Sequence, residues 1–234
     1  MLNFKGVKAL IFDLDGLIGD TEYYHNLSIL KVMEEYGIKI NEAYLYKLVG
    51  FSTRENFLLL EKDFGIKLDI ARLLKTREKV YLDIIKHSGI KAFPGFKELL
   101  VSGRQAGLSL AVGSSSARPQ VMTVLRLLTA SAGFKAKPAA IFDAIVTGSD
   151  VKRVKPAPDI FKKTAKKLGL KPAECLVLED SLPGVKAAKR AGMNCIAVQG
   201  RYGKNVDLSR ADFTVKNLQG VFTLLKSRGC FSKV

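Results

Sequence analysis

The sequence predicts an α/β fold, in which a doubly wound parallel sheet forms a core and a helical domain is inserted into it. Short apolar segments typical of buried parallel strands recur along the chain, at residues 7–12, 108–113, 143–147, 175–179, 194–198 and 212–215. Helical patterns separate most of these segments, and strands that alternate with helices indicate a parallel sheet covered by helices. Residues 22–88 show helical periodicity instead, so they predict the insert.

The elements follow one another in a regular order. Within the insert, apolar residues at helical spacing predict helices near 27–36, 44–48, 54–64 and 70–87. Between the later strands, the same spacing predicts helices at 95–105, 118–128, 158–168 and 184–191. Asp20 or Thr21 is suited to cap the first helix, and Pro94 suits a helix start where the alternation resumes. We therefore predict a Rossmann-like core of residues 1–16 and 94–234 and a helical cap of residues 17–93.

The charge of the chain is uneven. The formal net charge is +16, and residues 94–234 carry +15 of it, because lysine and arginine outnumber the acids there by 24 to 9. One explanation of this excess is that the basic side chains are simply solvated. The more specific alternative is that they attract anionic substrates or nucleic acid. No nucleic-acid motif and no interleaved aromatic residues accompany the lysines, so we expect no nucleic-acid partner.

The composition is that of a globular protein, with 47% hydrophobic and 26% charged residues. No apolar run approaches the ~20 residues of a membrane helix, and no signal-peptide pattern is found. Cys175, Cys195 and Cys230 have the spacing of neither a metal site nor a disulfide framework. We expect a cytoplasmic protein with reduced thiols and no membrane partner, which is a monomer or a weak dimer.

Two carboxylates stand at the end of the first predicted strand. Asp13 and Asp15 are followed at once by Gly16, at the strand end where open parallel sheets place their ligands. Neighbouring carboxylates repel each other, so a bound cation and a division of roles would explain the pair. The insert begins directly after this strand, where it could act as a lid over the crevice.

Further polar groups follow later strands. The second strand ends in three serines that begin at Ser114, the fourth ends at Glu179 and Asp180, and Lys155 lies in a proline-rich segment between them. Together with the carboxylate pair, these residues resemble the four motifs of the haloacid dehalogenase superfamily of phosphotransferases, in the family's order, over about residues 7–200. The chain looks like its β-phosphoglucomutase-like and phosphoglycolate phosphatase-like enzymes, whose small helical cap the insert resembles.

The resemblance implies a role for each residue. Asp13 would be the nucleophile, which needs no separate base because an unperturbed aspartate is ionised at neutral pH. Asp15 would be the general acid and then the general base. Ser114 would contact a phosphoryl oxygen, with Ser115 and Ser116 as alternatives, and Lys155 would balance the acidic charge and help to bind the phosphoryl group.

Mg²⁺ is the cofactor that the resemblance implies. Asp13, the backbone carbonyl of Asp15 and Asp180 would bind the ion, and Glu179 would assist through a water molecule or hold Lys155. The charge count favours a metal as well, because four ionised carboxylates against one lysine would repel a phosphate dianion.

Substrate choice is expected to lie in the cap, where His25, Lys47 and Arg54 are the candidate substrate-binding residues. Mutases of the subfamily have a lysine where this chain has Val49, another where it has Ala117, and an arginine displaced by one position from Arg54. These departures favour hydrolysis over isomerisation.

We therefore expect a Mg²⁺-dependent phosphatase that hydrolyses small phosphorylated metabolites through an aspartyl-phosphate. Sugar phosphates and phosphoglycolate-like acids are the expected substrate class. A β-phosphoglucomutase-type isomerase is the alternative function, and a module that binds polyanions is a more distant one.

Overall fold

The computed structural model describes residues 4–48, 52–199 and 207–231. The described residues form one six-stranded sheet with the order β3-β2-β1-β4-β5-β6, and every neighbouring pair is parallel. This arrangement confirms the predicted α/β class with a doubly wound parallel sheet. The strands are β1 (Ala9–Phe12), β2 (Ser109–Gly113), β3 (Ala144–Val146), β4 (Cys175–Glu179), β5 (Asn194–Val198) and β6 (Phe213–Val215).

Helices connect the strands and form the insert. Those of the insert are α1 (Glu22–Glu34), α2 (Glu42–Leu48), α3 (Thr53–Phe64) and α4 (Ile70–His87). The remaining helices are α5 (Phe96–Gln105), α6 (Arg118–Ser131), α7 (Pro138–Ile141), α8 (Asp159–Leu168), α9 (Leu182–Arg190) and α10 (Leu218–Ser227). Short 3-10 turns lie at Phe4–Gly6, Gly148–Asp150 and Pro172–Glu174.

Capping residues set several of these bounds. The Ser181 side chain accepts a hydrogen bond from the Gly184 N–H, so α9 begins two residues before the predicted start at 184. Ser52 and Glu55 form a capping box at the start of α3. Thr21, one of the two residues predicted to cap α1, occupies its N-cap position.

β1 lies in the middle of the sheet and is buried throughout, as expected for a parallel strand covered on both faces. Ile11 lies opposite Ala111 of β2 on one side and Val177 of β4 on the other. Because the three strands are parallel and in register, their carboxyl ends adjoin at one edge of the sheet. The acidic and serine motifs follow these ends in the sequence.

The chain divides into two compact units: Met1–Asp20 with Ile90–Val234, called the core below, and Thr21–Gly89, called the helical unit. The predicted cap, 17–93, extends four residues beyond the helical unit at each end. Those residues belong to the core because the chain pairs with itself there. Gly19 forms a bridge with Ala92, and the Phe93 N–H donates to the Ile18 carbonyl at 2.7 Å.

Each unit has an apolar interior of its own. In the core, Ile11, Val177 and Phe161 belong to one buried cluster. In the helical unit, Val32 and Phe57 belong to another. Among the described residues, no helix combines the length and the apolar character needed to cross a bilayer.

The three cysteines are free and buried. Burial raises the pKa of the Cys175 thiol and of the Cys230 thiol to about 11. The same cause raises the pKa of the Cys195 thiol above its ordinary value. All three side chains are therefore protonated thiols at neutral pH and unreactive as nucleophiles.

Candidate active site

Asp13 directly follows β1 and extends its pairing with β4, because the Asp13 N–H donates to the Leu178 carbonyl at 3.0 Å. The residue is 7% exposed. One of its carboxylate oxygens, Oδ1, accepts a hydrogen bond from the Lys155 ammonium. The end of β1 thus fixes a buried carboxylate against a buried cation.

Lys155 bridges two carboxylates. Its Nζ contacts Asp13 Oδ1 and lies 2.6 Å from Glu179 Oε1, and its side chain is 5% exposed. The ring of Phe161 in α8 lies 4.9 Å from the same ammonium and covers it on a further side. Burial alone would lower the pKa of Lys155, but the charges of Asp13 and Glu179 outweigh burial and raise that pKa. Lys155 is therefore a permanent cation.

The ionisation of Asp13 differs from the sequence-based expectation of an unperturbed aspartate. The pKa of Asp13 is raised to about 8, chiefly by burial and also by the repulsion from Glu179 and Asp15, against the opposing attraction of Lys155. A desolvated carboxylate that shares one lysine with another carboxylate retains its proton more readily. Burial therefore disfavours the ionised form of Asp13, and a further positive charge would favour it; the ionisation of Asp13 at neutral pH stays a prediction.

Glu179 ends β4 and is fully buried. While Oε1 accepts from Lys155, Oε2 accepts from the backbone N–H groups of Asp180 and Ser181, each at 3.0 Å, and from the Ser181 hydroxyl at 2.9 Å. A Cβ at Gly184 would overlap this carboxylate, so the glycine leaves the room that Glu179 occupies. Both carboxylate oxygens thus anchor Lys155 and the loop after β4.

A group of three carboxylates that could hold a metal ion lies beside Lys155. One carboxylate oxygen from each of Asp13, Glu179 and Asp180 lies within 4.8 Å of the other two. Gly16 adopts a φ of +81° and a Cβ there would overlap the Asp180 carboxylate, so only glycine permits this approach. Hard oxygen donors with surplus negative charge fit Mg²⁺. Both Glu179 oxygens already accept hydrogen bonds, so we expect Asp13 and Asp180 to be the metal ligands.

The Asp15 carboxylate contacts two serine hydroxyls and is not part of the group of three carboxylates. Its Oδ2 accepts from the Ser116 hydroxyl at 2.7 Å and from the Ser114 hydroxyl at 3.3 Å. Its carboxylate is outside the three-residue metal group, which leaves the backbone carbonyl as the predicted metal contact. The structure thus separates the Asp13 carboxylate, which contacts Lys155, from the Asp15 carboxylate, which accepts from hydroxyls.

The three serines after β2 occupy different environments. Ser114 is fully buried, and its hydroxyl accepts from the Ser116 N–H at 3.1 Å while it contacts Asp15. Ser115 is exposed and Ser116 is half-buried. Contact between Ser114 and a phosphoryl oxygen stays a prediction, as does the alternative contact by Ser115.

His25 lies in the helical unit, in the first turn of α1, and packs inside that unit. Its Nδ1 contacts the Arg77 guanidinium, and its ring stacks on Tyr81 at a centroid distance of 4.3 Å. A guanidinium only donates hydrogen bonds, so Nδ1 is the acceptor and Nε2 carries the ring proton. A role of His25 in substrate binding stays a prediction.

The other two predicted substrate-binding residues are exposed on the helical unit. Lys47 lies 5.1 Å from the Tyr44 ring and 3.8 Å from Asp63, which is the geometry of a weak surface pair. Arg54 lies in the first turn of α3. Val49, on which the distinction from mutases partly rests, lies outside the described residues.

Two buried polar residues, Gln120 and Arg77, were not predicted from the sequence, although a sequence pattern indicated each of them. Gln120 donates from Nε2 to the Ser116 hydroxyl at 3.1 Å and follows that serine by four residues, one turn into α6. Arg77 occupies the buried stripe of α4 with Leu73 and Tyr81 at spacings of four. A cation within an apolar stripe at helical spacing was the signal for a buried, partnered arginine.

Known proteins resemble this chain in sequence and in fold. Phosphorylated carbohydrates phosphatase from Thermotoga maritima is 29% identical over 194 residues, which cover 81% of this chain and 84% of that protein. The crystal structure of CbbY from Rhodobacter sphaeroides in complex with phosphate has a TM-score of 0.80 and 26% identity, with 91% and 95% covered. β-Phosphoglucomutase from Clostridium difficile has a TM-score of 0.74 and 27% identity, with 95% and 96% covered.

A model of one protein family also matches the chain. Its description is "Haloacid dehalogenase-like hydrolase", and the match extends over residues 10–198, which include the ends of β1, β2 and β4 and the lysine between them. The match covers most of the chain and agrees with the parallel sheet and the strand-end cluster. The chain therefore belongs to the haloacid dehalogenase-like hydrolase family.

Proposed function

We propose that this phosphoric monoester hydrolase is a Mg²⁺-dependent phosphatase that acts through an aspartyl-phosphate on Asp13. One observation carries the proposal: at the carboxyl end of the central strand, Asp13 contacts the Lys155 ammonium and has a carboxylate oxygen within 4.8 Å of one of Asp180. A nucleophile held beside one cation and one metal ligand is the arrangement that phosphoryl transfer requires, because positioning and charge supply most of its catalysis.

The reaction has two steps. Lys155 holds Asp13 Oδ1, so we assign the attack on phosphorus to Oδ2. The new bond joins Oδ2 to phosphorus while the ester oxygen leaves and takes a proton from Asp15. Asp15 then removes a proton from water, the water oxygen bonds to phosphorus, and the bond to Oδ2 breaks. Phosphate is released, and both aspartates return to their starting states.

The bound metal would supply positive charge beside the phosphoryl oxygens and would keep Asp13 ionised. Asp13 and Asp180 are the residues that would hold it, with the backbone carbonyl of Asp15. Glu179 would act indirectly, since it fixes Lys155 and the loop that carries Asp180.

The substrate class is a small phosphorylated metabolite, either a sugar phosphate or a phosphoglycolate-like acid. Similarity to a protein named for phosphorylated carbohydrates supports this class, as does similarity to CbbY, which was crystallised with phosphate. The cytoplasmic location and the monomeric or weakly dimeric state stay predictions.

A mutase would form the same phosphoenzyme but would return the phosphoryl group to another sugar hydroxyl. Similarity to β-phosphoglucomutase keeps this alternative testable, and the residue differences at Arg54 and Ala117 weigh against it. Phosphorus NMR with β-glucose 1-phosphate and catalytic glucose 1,6-bisphosphate separates the two. We expect mostly inorganic phosphate, whereas stoichiometric glucose 6-phosphate would establish the mutase.

Phosphate release from a panel of metabolite monophosphates tests the proposal. We expect release that depends on Mg²⁺, is abolished in Asp13→Asn and is unchanged in Asp207→Asn, a control at an exposed aspartate. Release without Mg²⁺, or equal release by the two variants, would contradict it. A salt-sensitive complex with nucleic acid that Asp13→Asn leaves intact, without hydrolysis, would favour the polyanion-binding alternative.

A further inference from the structure

We propose that Ser116 and Gln120 are positioning residues for Asp15. A directed chain of hydrogen bonds runs from the Gln120 amide through the Ser116 hydroxyl to the Asp15 carboxylate and holds that carboxylate in one orientation. The inference rests on the proposed function, in which Asp15 is the acid and base.

The chemistry of the three groups fixes the direction of the chain. Asp15 Oδ2 accepts hydrogen bonds from two hydroxyls, so the proton that Asp15 holds as the general acid is assigned to Oδ1, and the Ser116 hydroxyl donates its single proton to Oδ2 at 2.7 Å. The serine oxygen then has lone pairs only, and it accepts from Gln120 Nε2 at 3.1 Å. Hydrogen bonds that point the same way polarise one another, so the donor that reaches Asp15 is strengthened by the amide behind it.

Backbone hydrogen bonds hold Ser116, the middle residue of this chain of hydrogen bonds, in place. The Ser116 carbonyl accepts from the Gly148 N–H at 2.9 Å, and the Ser116 N–H donates to the Ser114 hydroxyl at 3.1 Å. A Cβ at Gly148 would overlap the Ser115 carbonyl, so the turn after β3 approaches the serine loop as closely as glycine allows. Ser116 is therefore fixed by its own loop and by the turn after β3, independently of any substrate.

Gln120 is the first donor in this chain of hydrogen bonds, and the fold restricts its movement. It is 5% exposed and lies in α6 one turn after Ser116, where the helix backbone limits its movement. Its amide orientation follows from the network, because only the NH₂ side can donate to the serine. A buried amide held by a helix can keep Ser116, and through it Asp15, in one geometry during turnover.

The positioning role predicts an effect on turnover more than on binding. Ser116→Ala should lower kcat about 10- to 100-fold, as expected for a lost hydrogen bond to a charged group, with KM changed less than about threefold. Ser116→Thr, which keeps the hydroxyl, should restore kcat to within about threefold of the parent. Gln120→Leu should lower kcat by about three- to tenfold.

A double-mutant cycle tests the route through Asp15. In an Asp15→Asn background, Ser116→Ala and Gln120→Leu should each cause less than about a twofold further loss of kcat, because their target is already gone. Gln105→Leu, at an exposed glutamine of α5, is the matched control and should retain the parent kcat. The assay is phosphate release from the best substrate of the panel at saturating Mg²⁺.

Two results would overturn the inference. Losses that multiply fully in the Asp15→Asn background would show that Ser116 acts independently of Asp15. A rise in KM with unchanged kcat in Ser116→Ala would make Ser116 a substrate ligand instead. Circular dichroism checks folding, and if Ser116→Ala unfolds, Gln120→Leu alone decides, because it leaves the serine intact. Failure here would leave Mg²⁺-dependent hydrolysis and its loss in Asp13→Asn unaffected.

Discussion

The core and the helical unit each bury a cation, and the partners of the two cations differ. In the core, the side chain of Lys155 is 5% exposed and bridges the carboxylates of Asp13 and Glu179. In the helical unit, Arg77 is also 5% exposed, but it contacts the imidazole of His25 and lies 5.0 Å from the ring centre of Tyr81. One cation compensates charge, and the other is packed among rings.

This difference predicts that Lys155 supports catalysis and that Arg77 supports the packing of the helical unit. Lys155 controls the ionisation and position of groups that would touch the reacting phosphorus, so its loss should affect chemistry first. Arg77 holds the ring of His25 through a hydrogen bond and lies over the ring of Tyr81, on which His25 stacks, so its loss should affect the stability of the helical unit first. Four substitutions or conditions test this contrast.

Lys155→Ala should have the largest effect. Removing one partner of a buried ion pair leaves the buried Glu179 carboxylate without compensation and should cost about 3–5 kcal/mol of unfolding free energy. Phosphatase turnover should fall at least about 100-fold, as for other lost groups that stabilise developing charge. Urea unfolding and steady-state phosphate release measure the two effects.

The control for this substitution is Lys8→Ala, whose ammonium forms an exposed pair with Glu174 and should contribute less than about 1 kcal/mol. Lys155→Arg should not restore activity fully, because a planar guanidinium does not fit the space of a compact ammonium. Parental activity in Lys155→Arg would mean that Lys155 is not part of the site.

Gly184→Ala should disturb the other end of the same ion pair. The added Cβ would overlap the Glu179 carboxylate and force it away from Lys155, at a cost of about 1–3 kcal/mol. Gly6→Ala is the matched control, because a Cβ there meets no atom within 4 Å. Equal unfolding midpoints for the two variants would show that the position of Glu179 is not restricted by this glycine.

Arg77→Met should destabilise the helical unit by about 1–2 kcal/mol, since the hydrogen bond to His25 is lost while an unbranched apolar side chain replaces the arginine stem. A double-mutant cycle with His25→Ala should show coupling between the two residues in urea unfolding. Arg72→Met, at an exposed position of the same helix, should be nearly neutral. Additive effects of Arg77→Met and His25→Ala would refute the pairing.

The pH dependence of Mg²⁺ binding has the smallest expected effect, at most about tenfold in affinity per pH unit. Burial raises the pKa of Asp13 to about 8, so the metal-free chain keeps a proton that Mg²⁺ must displace at pH 7. Affinity should therefore rise from pH 6 to pH 8, with nearly one proton released per ion at pH 7. Calorimetry in buffers of different ionisation enthalpy measures this release, and its absence would contradict the raised pKa.

The same shift has a consequence for stability without metal. Between the unfolded pKa of Asp13 near 4 and its folded pKa of about 8, the folded chain binds more protons than the unfolded chain. The free energy of unfolding should therefore fall as pH rises through this window. Asp13→Asn should remove this part of the pH dependence.

The acidic site of the core was predictable because its residues lie at the ends of strands. Asp13, Glu179 and Asp180 each end or follow a buried apolar segment, and parallel strands bring such ends together whatever lies between them. The sequence predicted that Lys155 would balance the acidic charge. It did not predict the raised pKa of Asp13, because that pKa depends on how completely the site is buried.

Side-chain direction was less accessible from sequence. The pattern placed Ser114, Ser115 and Ser116 at one strand end without showing that Ser116 contacts Asp15, since that depends on backbone geometry after β2. His25 was singled out, but its partner Arg77 lies 52 residues away, and nothing local links the two. Long-range pairs inside a helical bundle are set by packing and leave little trace in the sequence.

The most direct test of the central claim uses 4-nitrophenyl phosphate with the Asp15→Asn variant. This leaving group needs no protonation, so Asp13 should still attack, while water attack on the phosphoenzyme is slow without a base. The account predicts a burst of one nitrophenolate per active site and a phosphoryl group on the Asp13 peptide after acid quench. Steady turnover without a burst, together with comparable turnover in Asp13→Asn, would contradict an aspartyl-phosphate on Asp13.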